Sequence, residues 1–566
     1  MRDSVLPPHS GGSHIQKEYK EGEPFDWRNV HDVFTWSKSG QVNMAYECID
    51  RHVNAGKGAH RALYYIGKGK AITYTYHELQ SEVSRWANVL RRYGVGKGDY
   101  VFVFLPKHPY GYIAMLAAIR IGAVVGPLFE AFMEEAVKDR INDCEGKYLI
   151  TDQSFMDRVN KEEIPSLRHI FTTDSGNDTT EISIVEEARV ESSFSEVEWV
   201  DLEDGLNIHY TSGSTGKPKG IIHAHRNMIQ QYQTGRWVLD LHENDVYWCT
   251  AHPGWVTGTV YGVFAPLLNG VTVVIHGGRF SAEAWYQVLE EAGVTVWYSA
   301  PTAFRMLQAE GEDLQKKFDL SSLRHILSVG EPLNPEVIYW AYETLGLRIH
   351  DTWWMTETGA QLIANVPTRT IKPGSMGRPI PGIEVSILDE EGSPLPAFET
   401  GHLAIRTSWP SIMKEVWKNK QKFNSYFPYG EDWYIAGDLA YLDEDGYVFF
   451  QGRSDDMINS SGERIGPFEV ESKLIEHPAI KEAGVIGKPD DVRGEIVKAF
   501  VTINHGYDWG EELFKEVRLF VKDKLAAHAA PREIEVLEEL PKTQISGKLL
   551  RRELKKREQE RATFSS

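Results

Sequence analysis

The chain is poor in cysteine: Cys48, Cys144 and Cys249 are three among 566 residues, with no CxxC pair. So odd and scattered a set argues against a disulfide framework and a structural zinc site, and fits a reducing compartment. Positive charge is also short. Sixty-one Lys and Arg stand against 81 Asp and Glu, a net charge of −20. That balance disfavours nucleic acid and anionic membranes as partners, yet leaves room for a local cationic pocket. Long apolar runs are missing too. The most apolar stretch, around residues 110–130, is interrupted by Arg120 and Pro127 and does not qualify as a membrane span. The first residues, MRDSVLPPHSGGSH, have neither the basic start nor the apolar core of a signal peptide. Together these absences predict a cytoplasmic protein.

What is present points to several packed units. At about 150 residues per domain the length predicts three to four of them, and 42% hydrophobic with 25% charged residues is ordinary for folded domains. Sixteen Trp and 25 Tyr predict large cores and aromatic pockets. Residues 110–123 have helical spacing and run into a short apolar strand at 123–129. Strands are expected at 270–276, 294–302 and 325–333, with a helix at 282–293. Strand, helix, strand in this rhythm predicts parallel sheets with helices on both faces, and ligands beyond the carboxyl ends of the strands. After residue 380, alternating strands separated by Gly, Asp and Pro turns predict a small antiparallel unit. Residues 452–467, GRSDDMINSSGERIGP, read as a polar linker, and a compact α+β unit follows. The expected division is 1–454 and 455–566.

The strongest local signal is YTSGSTGKPKG at 210–220. Glycines let backbone N–H groups converge, hydroxyls add donors and lysines add charge, which together make a nest for phosphate. Pro218 after Gly216 and Lys217 excludes the P-loop pattern, which needs Ser or Thr there.

This loop, with TWWMTETG (352–359), YIAGDLA (434–440), GRSDDMINSSGERIGPFEVE (452–471) and PKTQISGK (541–548), resembles the adenylate-forming acyl-CoA synthetases. HPGWVTGTVYG (252–262) and SVGEPLNPE (328–336) look closest to acetate–CoA ligases of the shorter type. Residues 1–200 carry no motif that adds to this. The resemblance implies a large α/β N-terminal domain and a small mobile α+β C-terminal domain. It implies an AMP-forming acid–thiol ligase: a carboxylate attacks the α-phosphate of ATP, and the thiol of coenzyme A then takes the acyl group from the adenylate. No enzyme nucleophile is needed, so positioning and charge stabilisation carry catalysis.

Residue by residue, the resemblance gives Thr211, Ser212, Gly213, Ser214, Thr215, Gly216 and Lys219 to the phosphates, and Thr356 to the α-phosphate. Glu357 would hold Mg²⁺. Gly330, Glu331, Pro332, Asp351, Thr352, Trp353 and Met355 would wall the adenine; Met355 replaces the polar residue expected of longer relatives. Asp438 would accept the ribose hydroxyls, with Arg453 and Arg464 beside the nucleotide. Trp255, Val256, Thr257, Val329 and Trp354 would line the acyl pocket, the Trp354 indole filling the space longer chains need. Ser461, Gly462 and Lys522 would meet coenzyme A, and Asp455 would be the hinge. Lys548 would reach the α-phosphate during adenylation, although PKTQISGK is one residue longer between Thr543 and Ser546 than the family pattern. A lysine acetylase and deacetylase acting on Lys548 are the expected protein partners. Two alternatives stay open: a ligase for propionate or another short acid, and a noncatalytic nucleotide-binding protein.

Overall fold

In a computed structural model, residues 5–8, 12–67, 69–174, 181–212, 218–454, 456–460, 463–490, 493–542 and 549–564 are described. Helix Pro109–Arg120, PYGYIAMLAAIR, is apolar around most of its circumference, and such a helix belongs in a core. Nearly all of it is buried. His108 caps it, its ring Nδ1 accepting from the Tyr110 amide at 3.3 Å, and Pro109 takes the first helical position, where no donor is needed. The charge that breaks the apolar stretch, Arg120, is only 3% exposed. It donates to Asp50 Oδ2 at 2.7 Å and to the Ser195 carbonyl at 2.9 Å. No helix among the described residues is long and apolar enough to cross a membrane.

Two large sheets organise residues 61 to 416. One has nine strands in the spatial order Arg378–Pro379, Ile363–Ala364, Ile349–Trp353, His325–Ser328, Val296–Ser299, Val246–Cys249, Thr272–His276, Arg61–Gly67 and Lys70–Thr75. The other has eight: Glu415–Val416, Pro218–Ala224, Gly205–Ser212, Val124–Pro127, Tyr100–Phe104, Tyr148–Thr151, His169–Thr172 and Ile182–Ser183. The sequence predicts parallel sheets; their centres are parallel, but the margins are not. Lys70–Thr75, Ile363–Ala364, Arg378–Pro379, Pro218–Ala224 and Glu415–Val416 pair antiparallel, so both sheets are mixed. Helix Ala282–Ala292 starts where Ser281 Oγ accepts from the Ala284 amide at 3.2 Å and ends at left-handed Gly293.

A four-stranded antiparallel sheet follows, Val385–Leu388, Gly401–Arg406, Trp433–Leu442 and Val448–Arg453. The linker reading of 452–467 is corrected by the structure. Ile458–Ser460 and Glu463–Ile465 pair as a hairpin, Ile458 opposite Ile465, and enter a five-stranded sheet with Ile480–Asp490, Gly494–Ile503 and Glu533–Val536. Both isoleucines are buried in a core with Val470, Leu474, Val497 and Val517. Two apolar anchors among polar residues were enough. The C-terminal helix Arg551–Phe564 lies on this unit through Leu554 and paired charges: Arg551 with Glu471, Lys555 with Asp456, and Arg557 with Glu535.

The core carries an acid liability. Burial pushes His52, His209, His225 and His252 down to about 3, and His223, His276 and His325 to about 4. Unfolded, these rings take a proton near 6.5; folded, they stay neutral. Their contribution is therefore complete above pH 6.5 and is lost as pH falls toward 4. The melting temperature is expected to hold near pH 7–8 and drop steeply between about pH 6 and 5. A flat profile over that range would contradict seven neutral rings, six of them buried.

Candidate active site

Glu357 sits in the loop after strand Ile349–Trp353, and buried donors hold that loop by its carbonyls. His223 Nε2 bonds the Thr356 carbonyl at 2.7 Å while Nδ1 lies 2.8 Å from Asn227 Nδ2. A carbonyl and an amide NH₂ admit one arrangement: the neutral ring carries its proton on Nε2. Trp409 Nε1 and Ser411 Oγ donate to the Thr358 carbonyl at 3.0 and 2.7 Å, Gln231 Nε2 to Gly359 at 3.2 Å, and Gln230 Nε2 to Gln361 at 2.9 Å. Gly359 has φ +73°, and a Cβ there would lie 2.1 Å from the Ser411 carbonyl, so only glycine fits. His223 belongs to strand Pro218–Ala224, so the phosphate hairpin and the Glu357 loop share one imidazole.

In that hairpin Thr211 and Lys219 are direct cross-strand partners, both half-buried. Gly213, Ser214, Thr215 and Gly216 lie outside the described residues, as does the side chain of Ser212. The Glu357 carboxylate is buried, and Oε1 accepts from the Tyr426 hydroxyl at 2.7 Å. Lys422 lies with Nζ 4.1 Å from the Tyr426 ring centroid. Burial first, then the like charge of Lys219, pushes the Lys422 ammonium below its ordinary value, while Glu357 pulls it back. Lys219, Lys422 and Arg453 thus gather around one carboxylate. A single carboxylate with phosphate oxygens as further ligands fits a hard divalent cation. Among the described residues no group of three or more His, Cys, Asp or Glu forms an all-protein metal cage.

Asp438 faces Arg453 across the antiparallel pair: Oδ1 accepts from Arg453 Nη1 at 2.9 Å and Oδ2 from Trp353 Nε1 at 2.9 Å. Trp353 of TWWMTETG and Asp438 of YIAGDLA, 85 residues apart, are therefore in direct contact. Gly330 is exposed with φ +92°, and Glu331 beside it is taken up by Thr302 Oγ1 at 2.7 Å and Arg305 Nη2 at 2.9 Å. Pro332 is half-buried next to them. Asp351 is buried, and burial drives its carboxyl well above the usual carboxylate range. Half-buried Met355 receives the Tyr434 hydroxyl on Sδ at 3.6 Å.

Trp354 is 8% exposed and meets Tyr261 edge-on at 5.1 Å; Val329 is buried in the same core. Trp255 behaves differently. It is 37% exposed and packs on Phe129 and Phe132, with Val256 and Thr257 half-buried behind it. Lys522 is exposed on helix Glu511–Lys524. Asp455, Ser461, Gly462 and Lys548 lie outside the described residues, as does the side chain of Arg464, whose backbone pairs with Asn459. Sequence reasoning missed Tyr426, Lys422 and His223. No local spacing marks them: Tyr426 and Lys422 come from a segment without a motif, and His223 lies three residues beyond the end of the 210–220 motif on the same strand.

Known proteins similar to this chain identify its family. The AMP-binding enzyme family matches residues 50–417, and the AMP-binding enzyme C-terminal domain matches 469–548. An acetyl-coenzyme A synthetase of Bacillus subtilis (strain 168) is 57% identical over 97% of this chain and 96% of its own length. One from Rubrobacter xylanophilus is 42% identical over 92% of this chain and 85% of its own. Among solved structures, a Brucella canis acyl-CoA synthetase superposes with TM-score 0.74 at 35% identity, covering 95% of this chain and 98% of its own. An anthranilate CoA ligase solved with anthranoyl-AMP gives TM-score 0.85 at 29% identity, covering 92% and 98%. With both family domains matched in order and a relative more than half identical along nearly its whole length, this chain belongs to the AMP-binding enzyme family.

Proposed function

We propose that this chain is an acetate–CoA ligase, converting ATP, acetate and coenzyme A to acetyl-CoA, AMP and diphosphate through a bound acetyl-adenylate. The observation that carries the choice of acid is the buried Trp354 indole, in a chain 57% identical to the Bacillus subtilis acetyl-coenzyme A synthetase. In the first half-reaction a carboxylate oxygen of acetate attacks the α-phosphorus and the bond to diphosphate breaks. Thr211, Ser212, Ser214, Thr215 and Lys219 hold the β- and γ-phosphates, and Thr356 meets the α-phosphate. Asp438, already oriented by Arg453 and Trp353, accepts the ribose hydroxyls. Glu357, one oxygen of which accepts from the Tyr426 hydroxyl, would hold Mg²⁺; when bound, that ion would supply positive charge to offset the charge on the phosphate oxygens. Lys548 supplies a cation at the α-phosphate. In the second half-reaction the thiol attacks the acyl carbon and AMP leaves.

The chain divides near residue 454 in this reading, and Asp455 is the hinge about which 455–566 turns between half-reactions. Ser461, Gly462 and Lys522 then face coenzyme A, and Arg464 stays near the nucleotide. A lysine acetylase acting on Lys548 would remove its charge and with it adenylation. The three cysteines, all buried and free, suit a reducing cytoplasm.

The test is ATP–diphosphate exchange with formate, acetate, propionate and butyrate, on the wild type and Trp354→Gly. The wild type is expected to prefer acetate, with propionate behind by the ~1–3 kcal/mol that one methylene is worth. Removing the indole opens space that a longer chain fills with apolar burial, so kcat/KM shifts toward butyrate. No exchange with any acid would turn the reading to a noncatalytic nucleotide-binding protein. An unchanged preference in folded Trp354→Gly would take Trp354 out of the pocket.

A further inference from the structure

Trp354 sets the length of a pocket only if its indole keeps one orientation, and the torsion that swings a ring about its Cβ–Cγ bond is soft. Something must hold it. Strand Val296–Ser299 places the Tyr298 side chain, fully buried, beneath the Trp354 loop. Three groups meet its hydroxyl: Trp354 Nε1 at 3.3 Å, Gln361 Nε2 at 3.0 Å and Thr352 Oγ1 at 2.7 Å. Donor directions follow from the ends of the chain. Thr352 Oγ1 spends its proton on the Ser328 carbonyl at 2.7 Å, since a carbonyl only accepts, so Thr352 receives the Tyr298 proton. The two lone pairs of the Tyr298 oxygen then take the indole N–H and the Gln361 amide. Tyr261, edge-on to the indole, is anchored separately: it accepts the Gln361 backbone N–H at 2.8 Å and shares a 2.8 Å bond with Thr234 Oγ1. The indole is thus gripped by a hydrogen bond and by a ring.

We propose that Tyr298 is a positioning residue for acyl-chain selectivity, its hydroxyl locking the Trp354 indole across the pocket. The inference rests on the acetate–CoA ligase reading with Trp354 in the acyl pocket, and deepens it. Burial keeps the phenol protonated far above neutral pH, so the lock is indifferent to pH in the working range. Tyr298 touches no reacting atom in this role; it acts through Trp354.

The experiment measures exchange kinetics with acetate, propionate and butyrate for the wild type, Tyr298→Phe, Trp354→Gly and the double variant, with melting temperature as a fold check. Phe keeps the ring and removes only the hydroxyl. Leaving the buried indole N–H without its partner is expected to lower the acetate-to-butyrate ratio of kcat/KM about tenfold, the scale of one buried hydrogen bond. KM for acetate rises and KM for ATP does not. In the Trp354→Gly background the same substitution leaves the ratio unchanged, because there is no indole to hold. A wild-type ratio in folded Tyr298→Phe overturns the proposal, as does an equal shift in both backgrounds. If Trp354→Gly itself leaves the preference untouched, the pocket reading fails first. Should Tyr298→Phe not fold, Thr352→Val removes the acceptor that sets the hydroxyl's direction; it is expected to lower the same ratio, and an unchanged ratio overturns the lock.

Discussion

Glu357→Gln is expected to cut acetate-dependent ATP–diphosphate exchange at least about a hundredfold, the scale seen when a group that stabilises charge in a transition state is removed. Gln keeps the length and shape of Glu, and its amide oxygen can still accept from the Tyr426 hydroxyl, so the fold should be intact. The charge is what goes. Without it, Lys219 and Lys422 lose the anion beside them while Arg453 keeps its Asp438 partner, and a divalent cation entering the site loses the Glu357 carboxylate. The apparent Mg²⁺ requirement should therefore rise as the maximal rate falls. Exchange measured against Mg²⁺ concentration, alongside the melting temperature, separates this from unfolding. Wild-type exchange at limiting Mg²⁺ would take the metal away from Glu357.

Lys548→Ala has an effect of comparable size, confined to one half of the reaction. Charge builds on the α-phosphorus as acetate attacks, and an ammonium there lowers the barrier. When the thiol later displaces AMP, the phosphate charge is already formed. Adenylate formation from acetate and ATP is therefore expected to be lost, while thioester formation from supplied acetyl-adenylate and coenzyme A stays largely intact. Acetylation of Lys548 should copy the same split. The residue after next but one, Arg551, is pinned through Nε and Nη2 to the buried Glu471, so removing Lys548 does not release the helix that follows. Equal loss of both half-reactions would mean a docking defect. Full activity in both would pass the role to another basic residue, with Lys542 the nearest lysine before it in sequence; that lysine is held by Glu482.

Much of the fold was written locally. Helix Ala282–Ala292 has its cap at Ser281 and its stop at Gly293, and strands such as Val296–Ser299 are short apolar runs between turns. The first two hundred residues are harder, because their strands are ordinary hydrophobic segments whose partners lie far along the chain. Tyr100–Phe104 says nothing about which of two sheets it joins. In the site, Asp438 and Arg453 were legible because motif and strand pairing coincide. Tyr426 was not: KFNSYF has no distinguishing spacing, and its meaning arises only when the chain brings it to Glu357. The polar run 452–467 misled for the opposite reason, since two buried isoleucines outweigh fourteen residues of loop-like composition.

Strand Arg61–Gly67 lies inside the nine-stranded sheet, hydrogen-bonded in parallel to Thr272–His276, with Leu63 opposite Val273. Its partner is made about 210 residues later. At a synthesis rate of about 5–20 residues per second that is an interval of roughly 10–40 s. A strand formed there in that interval by pairing with Lys70–Thr75 would have its other flank open. An open flank of this kind is a template for pairing with other chains. Residues 61–67 therefore gain the cover of their second flank only after the middle of the polypeptide has left the ribosome.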